Sequence, residues 1–177
     1  MEKITIKDKS FRLSISENEV IQAVINVAKK MNEGLKNVDP LFICVLNGAF
    51  MFAADLMKYI NFPCEITFIK LSSYQGLYST GEVKEIIGLN ESVIGRNVVI
   101  IEDIVDTGVT MERILESLSS KGVQSVKIAT FLQKPDAMTR KITVDYVGIK
   151  IPNDFIVGYG LDYNGYGRNL RAIYTVI

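Results

Sequence analysis

Leu41 to Leu46 reads Leu-Phe-Ile-Cys-Val-Leu, an apolar run with no polar interruption. A strand with one face in water alternates apolar and polar residues. A run without alternation predicts a strand covered on both faces, as in parallel sheets. Val98 to Ile101 has the same character, and Val126 to Leu132 reads as a further strand. Helical patterns lie between them. Ser16-Glu17-Asn18-Glu19 is a capping box, with Ser16 bonding the amide of Glu19 and Glu19 reaching back. Val20, Val24, Val27 and Met31 follow at helical spacing, and Gly34 marks the end. Ala49 to Ile60 reads as a second helix, stopped by Pro63, and Thr107 to Lys121 as a third, closed by Gly122. Lys3 to Ile15 alternates enough for one or two short strands, Glu65 to Leu71 alternates among β-formers, and the tail is rich in β-branched residues, aromatics and Gly. Strands alternating with helices predict an α/β fold with a central, mostly parallel twisted sheet flanked by helices. Ligands of such sheets bind beyond the carboxyl ends of the strands. That rule selects Asn47-Gly48-Ala49, the segment from Glu102 to Thr110, and the turn after Leu132.

Composition removes several classes of function. Lys and Arg number 20, as do Asp and Glu, so the formal net charge is zero. A nonspecific nucleic-acid or membrane binder carries a basic excess, and neither partner is expected here. The two cysteines, Cys44 and Cys64, sit in apolar runs with no metal-ligand spacing and read as buried thiols of a reducing cytoplasm. The N-terminus has no signal-peptide character, and no run approaches the roughly 20 apolar residues of a membrane span. A cytoplasmic protein is expected. The chain has no histidine, which excludes Ser-His-Asp and Cys-His mechanisms and leaves acid–base chemistry to carboxylates, lysines, tyrosines or thiols.

One segment concentrates the chemistry. Val98 to Ile101 runs into Glu102 and Asp103, and Ile104-Val105-Asp106-Thr107-Gly108-Val109-Thr110 leads into a helix. A helix start presents free amides and the positive end of the macrodipole to a phosphate. Gly108 permits close backbone approach, and Thr107 and Thr110 add hydroxyls. Glu102 and Asp103 can hold sugar hydroxyls or Mg²⁺. Asp106 stands between the two zones, where a general base is useful. Asp106 or Thr107 taken alone reads equally well as an N-cap, but two adjacent acids ending a buried strand bring no packing benefit.

This segment resembles the phosphoribosyl-pyrophosphate signature of type I phosphoribosyltransferases: hydrophobics, two acids, two hydrophobics, then Asp, Thr, Gly, a variable residue and Thr. Leu46-Asn47-Gly48-Ala49-Phe50 is similar to the family's pyrophosphate loop, Ser73-Tyr74 with Ser79-Thr80-Gly81 to its mobile loop, and Asp154 to Tyr163 to the hood of the hypoxanthine-guanine members. The resemblance runs from about Phe11 to the C-terminus. It implies a single domain over 1–177, with a core of about 20–150 and a hood from about 1–15 and 151–177. It implies purine salvage: Mg²⁺-dependent transfer of a phosphoribosyl group from phosphoribosyl pyrophosphate to hypoxanthine or guanine, in a homodimer or homotetramer.

The same resemblance assigns roles. Asp106 would face the purine N7 as general base. Asp106, Thr107, Gly108, Val109 and Thr110 would cradle the 5′-phosphate, and Glu102 and Asp103 would hold the ribose hydroxyls and metal. Lys134 would reach the purine O6, Phe155 would stack on the base, Ile156 would bind it through backbone, and Asp162 would contact base and Mg²⁺. Asn47, Gly48 and Arg168 would hold pyrophosphate. The family often has a basic residue where Asn47 stands; asparagine brings no charge, which leaves loop amides such as that of Gly48. The family's cis peptide would fall at Leu46-Asn47. Lysine only donates, so Lys134 suits a 6-oxo group and disfavours the amino group of adenine. Xanthine differs from guanine only at C2 and stays open as the substrate. A protein that binds phosphoribosyl pyrophosphate as a signal without turnover is the alternative of another class.

Overall fold

The computed structural model describes residues 3–72, 84–87, 89 and 91–177. The uninterrupted apolar run is strand β3 (Leu41–Leu46), reached after a hairpin of β1 (Lys3–Ile6) and β2 (Lys9–Ile15) and the helix α1 (Glu17–Leu35). The Ser16/Glu19 capping box is present at the start of α1. Helix α2 (Phe50–Tyr59), β4 (Glu65–Ser72), β5 (Lys84–Ile87) and β6 (Asn97–Val105) follow. Then come α3 (Val109–Ser120), β7 (Ser125–Gln133), β8 (Tyr146–Lys150), β9 (Ile156–Val157) and β10 (Ile173–Val176).

The main sheet has the order β5-β4-β3-β6-β7-β8. Strands β4, β3, β6, β7 and β8 run parallel, and only β5 is antiparallel, on the β4 edge. The lack of alternation in β3 has the predicted cause. Phe42 and Cys44, with Val99, Ile101, Ala129 and Phe131 of the neighbouring strands, pack under α1 and α2. Leu41, Ile43 and Val45, with Val98, Ile100 and Ile128, pack under Met111, Ile114 and Leu118 of α3. Both faces are therefore dry. Each Val, Leu, Ile, Met or Phe side chain among them is worth about 1.5–3 kcal/mol when fully buried.

A second, antiparallel sheet has the order β1-β2-β10-β9, so its strands come from the two ends of the chain. Phe11, Val157, Ala172 and Tyr174 form its own small core. Tyr159, just beyond β9, joins it to the main body. Its ring lies 4.7 Å from that of Phe131, and its hydroxyl donates to Asp55 Oδ2 on α2 at 2.8 Å.

Three expectations are corrected. Helix α1 runs through Gly34 to Leu35; a Cβ at Gly34 would stand 3.1 Å from the Tyr146 hydroxyl, so this glycine makes room for β8 rather than ending the helix. The β6 strand does not stop at Ile101 but carries Glu102 and Asp103 within it, because pairing with β7 continues from Ile101/Ala129 to Val105/Gln133. Helix α3 starts at Val109, and its N-cap is Gly108 rather than Asp106 or Thr107. Among the described residues, no helix is long and apolar enough to cross a membrane.

Candidate active site

A cavity of about 430 Å³ opens where the β3 and β6 ends meet the start of α3, lined by Leu46, Gly48 and the segment from Glu102 to Gly108, with Thr110, Arg113, Asp162 and Arg168 among the rest. The acid pair forms its floor. Glu102 is 7% exposed. Glu102 Oε1 accepts from the Asp103 amide at 3.1 Å, and Asp103 Oδ1 accepts from the Ile104 amide at 2.8 Å. Burial first, and then the neighbouring Asp103, push Glu102 well above the usual carboxylate range. Beneath them lies the fully buried Cys44, its thiol pushed up to about 12 by burial and then by the charges of Glu102 and Asp103. A Cβ at Gly48 would overlap the Asp103 carboxylate, so a larger residue there would displace that side chain from its place on the cavity floor. The peptide Leu46-Asn47 is cis.

The loop into α3 is arranged by its neighbours. Gly108 has φ 85°, a conformation that costs other residues more than glycine. The Thr107 carbonyl accepts from the amides of Thr139 and Arg140, at 3.0 and 3.3 Å, and from Thr139 Oγ1 at 3.2 Å. Carbonyl and amide of one planar trans peptide point opposite ways. Bonding of this carbonyl to Thr139 and Arg140, which do not line the cavity, leaves the Gly108 N–H of the same peptide on the opposite side from them. The first helical bond runs from Glu112 N to Gly108 O at 3.0 Å, which leaves the amides of Thr110 and Met111 without a helical acceptor. Thr110 and Met111 both line the cavity.

Asp106 lines the cavity with its side chain 46% exposed, and Lys134 Nζ stands 3.6 Å from Asp106 Oδ2 with its own side chain 10% exposed. The Lys134 amide donates to the Val105 carbonyl at 3.0 Å, which stitches the turn after β7 to the end of β6. From the second sheet's side, Arg168 pairs with Asp162 Oδ1 at 2.5 Å and donates to the Gly160 carbonyl at 2.6 Å. The Gly165 amide donates to Asp162 Oδ2 at 2.7 Å. Gly160 has φ 98° and lies against the Gly48 carbonyl, where no Cβ fits.

The sequence-derived residues thus divide. Gly48, Glu102, Asp103, Asp106, Thr107, Gly108, Thr110, Asp162 and Arg168 converge on one cavity; Asn47, Val109, Lys134, Phe155 and Ile156 do not line it. Lys134 stands beside it through Asp106. Ile156 is buried, and Phe155 is 46% exposed in an aromatic group with Phe11 and with Tyr163, whose ring is 5.8 Å away and edge-on. Ser73 and Tyr74 lie outside the described residues. Sequence reasoning missed Arg113, which lines the cavity; its spacing from Thr110, i to i+3 on one helix, is the signal that points to it. Tyr163, which the sequence places in the hood without a role of its own, donates its hydroxyl to Asp8 Oδ1 at 2.8 Å and ties the Phe155 region to the first hairpin.

Residues 14–164 match the family model described as phosphoribosyl transferase domain. The hypoxanthine-guanine phosphoribosyltransferase of Bacillus subtilis is 41% identical over 92% of this chain and 91% of its own length. The bifunctional protein TilS/HprT of Listeria monocytogenes is also 41% identical over 92% of this chain, which spans a quarter (25%) of that longer relative. Among solved structures, a hypoxanthine phosphoribosyltransferase from Staphylococcus aureus superimposes with a TM-score of 0.88 at 38% identity, covering 94% of this chain and 91% of that one. The chain belongs to the phosphoribosyltransferase family, among the hypoxanthine-guanine phosphoribosyltransferases within it.

Proposed function

We propose that the protein transfers a phosphoribosyl group from phosphoribosyl pyrophosphate to N9 of hypoxanthine or guanine, giving the nucleotide and pyrophosphate. The observation that carries this reading is the ion pair between Asp106 and Lys134 at the edge of the phosphate cavity. O6 and N7 sit side by side on one edge of a 6-oxopurine. Lys134, which only donates, meets O6, and the adjacent Asp106 carboxylate accepts at N7. An adenine amino group would leave Lys134 facing another donor, a mismatch that sites discriminate against strongly.

The C1′–O bond to pyrophosphate breaks as the N9–C1′ bond forms, and the N7 proton passes to Asp106. Glu102 and Asp103 hold the ribose hydroxyls and stabilise the positive charge that grows on the sugar. The amides and hydroxyls of Asp106 to Thr110 hold the 5′-phosphate. Gly48, the Asn47 loop and Arg168 receive pyrophosphate, and Phe155 and Ile156 cover the base. Ser73 and Tyr74 belong to a loop that closes over the reacting groups.

The donor set fits Mg²⁺. Among the described residues no ion pair reaches Glu102 or Asp103, and no cluster of three or more His, Cys, Asp or Glu forms a protein cage. Mg²⁺ is commonly held by one or two carboxylates together with substrate phosphates. Glu102 and Asp103 would hold it with the pyrophosphate oxygens, and Asp162, whose two oxygens are engaged by Arg168 and the Gly165 amide, would reach it through water. When bound, it supplies neutralisation of the leaving group's charge.

Free thiols at Cys44 and Cys64 support a cytoplasmic setting. The exposed rings of Phe50, Tyr59 and Phe68 support a homodimer or homotetramer.

The test is direct. The purified chain is mixed with phosphoribosyl pyrophosphate, Mg²⁺ and one base at a time, and nucleotide formation is followed by absorbance. Metal-dependent turnover of hypoxanthine or guanine with adenine inert is expected. Turnover of xanthine in preference to both would reassign the C2 side of the site. Turnover of adenine alone would overturn the role of Lys134. Binding of phosphoribosyl pyrophosphate with no turnover of any base would favour a regulatory protein.

A further inference from the structure

Arg113 occupies the second turn of α3 and lines the cavity beside Gly108, Thr110 and Met111. It lies three residues after Thr110, so the two share a helix face. Helical side chains lean toward the N-terminus, which brings the guanidinium toward the unspent amides of the helix start. The two arginines nearest in role already have partners: Arg168 is paired with Asp162, and Arg140 with Glu112 at 3.1 Å. Arg113 is exposed and forms no ion pair among the described residues.

The electrostatics of the cavity give this position its meaning. Glu102, Asp103, Asp106 and Asp162 all line it, against two cations, Arg113 and Arg168. A phosphate dianion entering that field meets the helix start, worth about half a positive charge, and two threonine hydroxyls. Arg113 is the lining cation not already spent on a carboxylate, among the described residues. Its planar fork matches two phosphate oxygens.

We propose that Arg113 is a ligand-binding residue that takes the terminal phosphate of the phosphoribosyl group, supplying from the second turn of α3 the charge that the signature loop lacks. This rests on the phosphoribosyl reading above and adds to it a residue outside the signature.

The experiment compares wild type, Arg113→Gln and Arg113→Lys by titration calorimetry with phosphoribosyl pyrophosphate, ribose 5-phosphate and ribose, together with steady-state kinetics. Arg113→Gln is expected to weaken both phosphorylated ligands about tenfold, the lower range of one charged hydrogen bond. KM for phosphoribosyl pyrophosphate should rise by a similar factor, with kcat and the purine KM within about twofold. Arg113→Lys should recover part of the loss, and the salt dependence of binding should be shallower in Arg113→Gln than in wild type. The side chain is exposed and unpaired, so melting curves of the three proteins should overlay. Equal affinity of wild type and Arg113→Gln for ribose 5-phosphate would overturn the proposal. Ribose 5-phosphate binding that depends on Arg113, in a wild type that converts no purine, would uphold it while removing the salvage reading. A wild type that binds neither phosphorylated ligand would remove both.

Discussion

Residues 102–110 and residues 158–168 deliver charged side chains to the same cavity by different means. The first stretch is positioned by regular structure: the end of β6, held along one side by β7, then a helix start. Its spacing follows from backbone geometry, and neighbours in sequence remain neighbours in space. The second has almost no regular structure. It turns on Gly158, Tyr159, Gly160, Asn164, Gly165 and Gly167, all at positive φ, and is held by contacts from far away in the chain: Tyr159 on Asp55, Gly160 on the Gly48 carbonyl, Tyr163 on Asp8. The first region encodes a site locally. The second borrows its shape from the body it rests on.

The sharpest test of the locally encoded region is Asp106→Asn. Loss of the proton acceptor should lower kcat by about a hundredfold to a thousandfold, within the span of a positioned general base. The side chain is half exposed, so the melting temperature should stay within a few degrees. Turnover close to wild type would remove the proton role from Asp106.

The borrowed region breaks differently. Gly160→Ala adds a Cβ into the Gly48 carbonyl at φ 98° and should cost about 2–4 kcal/mol, overpacking plus backbone strain. Denaturant unfolding reads that loss, and KM for phosphoribosyl pyrophosphate should rise with it. Gly165→Ala is the control. Its φ is 84° but the space around it is open, so it should cost only about 1–2 kcal/mol of backbone strain. Equal losses at the two sites would mean that the contact with Gly48 contributes nothing.

Glu102→Gln should act in the opposite direction on stability. Burial and Asp103 hold Glu102 above its ordinary range. A carboxyl with a raised folded-state pKa favours the fold while protonated, and that contribution is lost as the pH rises through the folded-state value. The amide removes the buried charge, so at neutral pH the variant should gain about 1 kcal/mol, or about 3 °C, while turnover falls. The gain should shrink as the pH is lowered toward the ordinary glutamate range. Thermal melts of both proteins from pH 5 to 8 check the sign.

Tyr159→Phe is expected to have the smallest effect. It deletes one hydrogen bond to Asp55, worth about 1 kcal/mol, and keeps the ring on Phe131. Burial and Asp55 push the Tyr159 hydroxyl well above its usual value, so the bond persists throughout the neutral range and the loss should not vary with pH between 6 and 8.

This contrast also explains what sequence alone conveyed. The parallel sheet was legible because both faces of β3 are dry, and the cavity floor was legible because Glu102 to Thr110 is contiguous. The extension of β6 through the acids was not, since acid residues say nothing of strand pairing; β7 supplies the partner. A glycine near a helix end reads as a terminator until the Tyr146 hydroxyl is seen to stand 3.1 Å from where its Cβ would be. The i to i+3 spacing from Thr110 says only that Arg113 shares a helix face with it; that Arg113 lines the cavity while Arg168 and Arg140 have partners is displayed only by the folded chain. The links from Tyr159 to Asp55 and from Tyr163 to Asp8 span 104 and 155 residues, distances over which no local pattern carries information.

Cys44, closed in beneath the acid pair, gives the molecule a built-in reporter. Only a thiolate reacts with alkylating reagents, and a thiol at about 12 is ionised at pH 7 to roughly one part in a hundred thousand. It is also fully shielded in the second strand of the parallel sheet, whereas Cys64 is only half covered. One label per chain should therefore mark the native protein, and the second should be added only as fast as the central sheet opens. The slow phase of a thiol titration would count those openings one molecule at a time, with no dye and no engineered site.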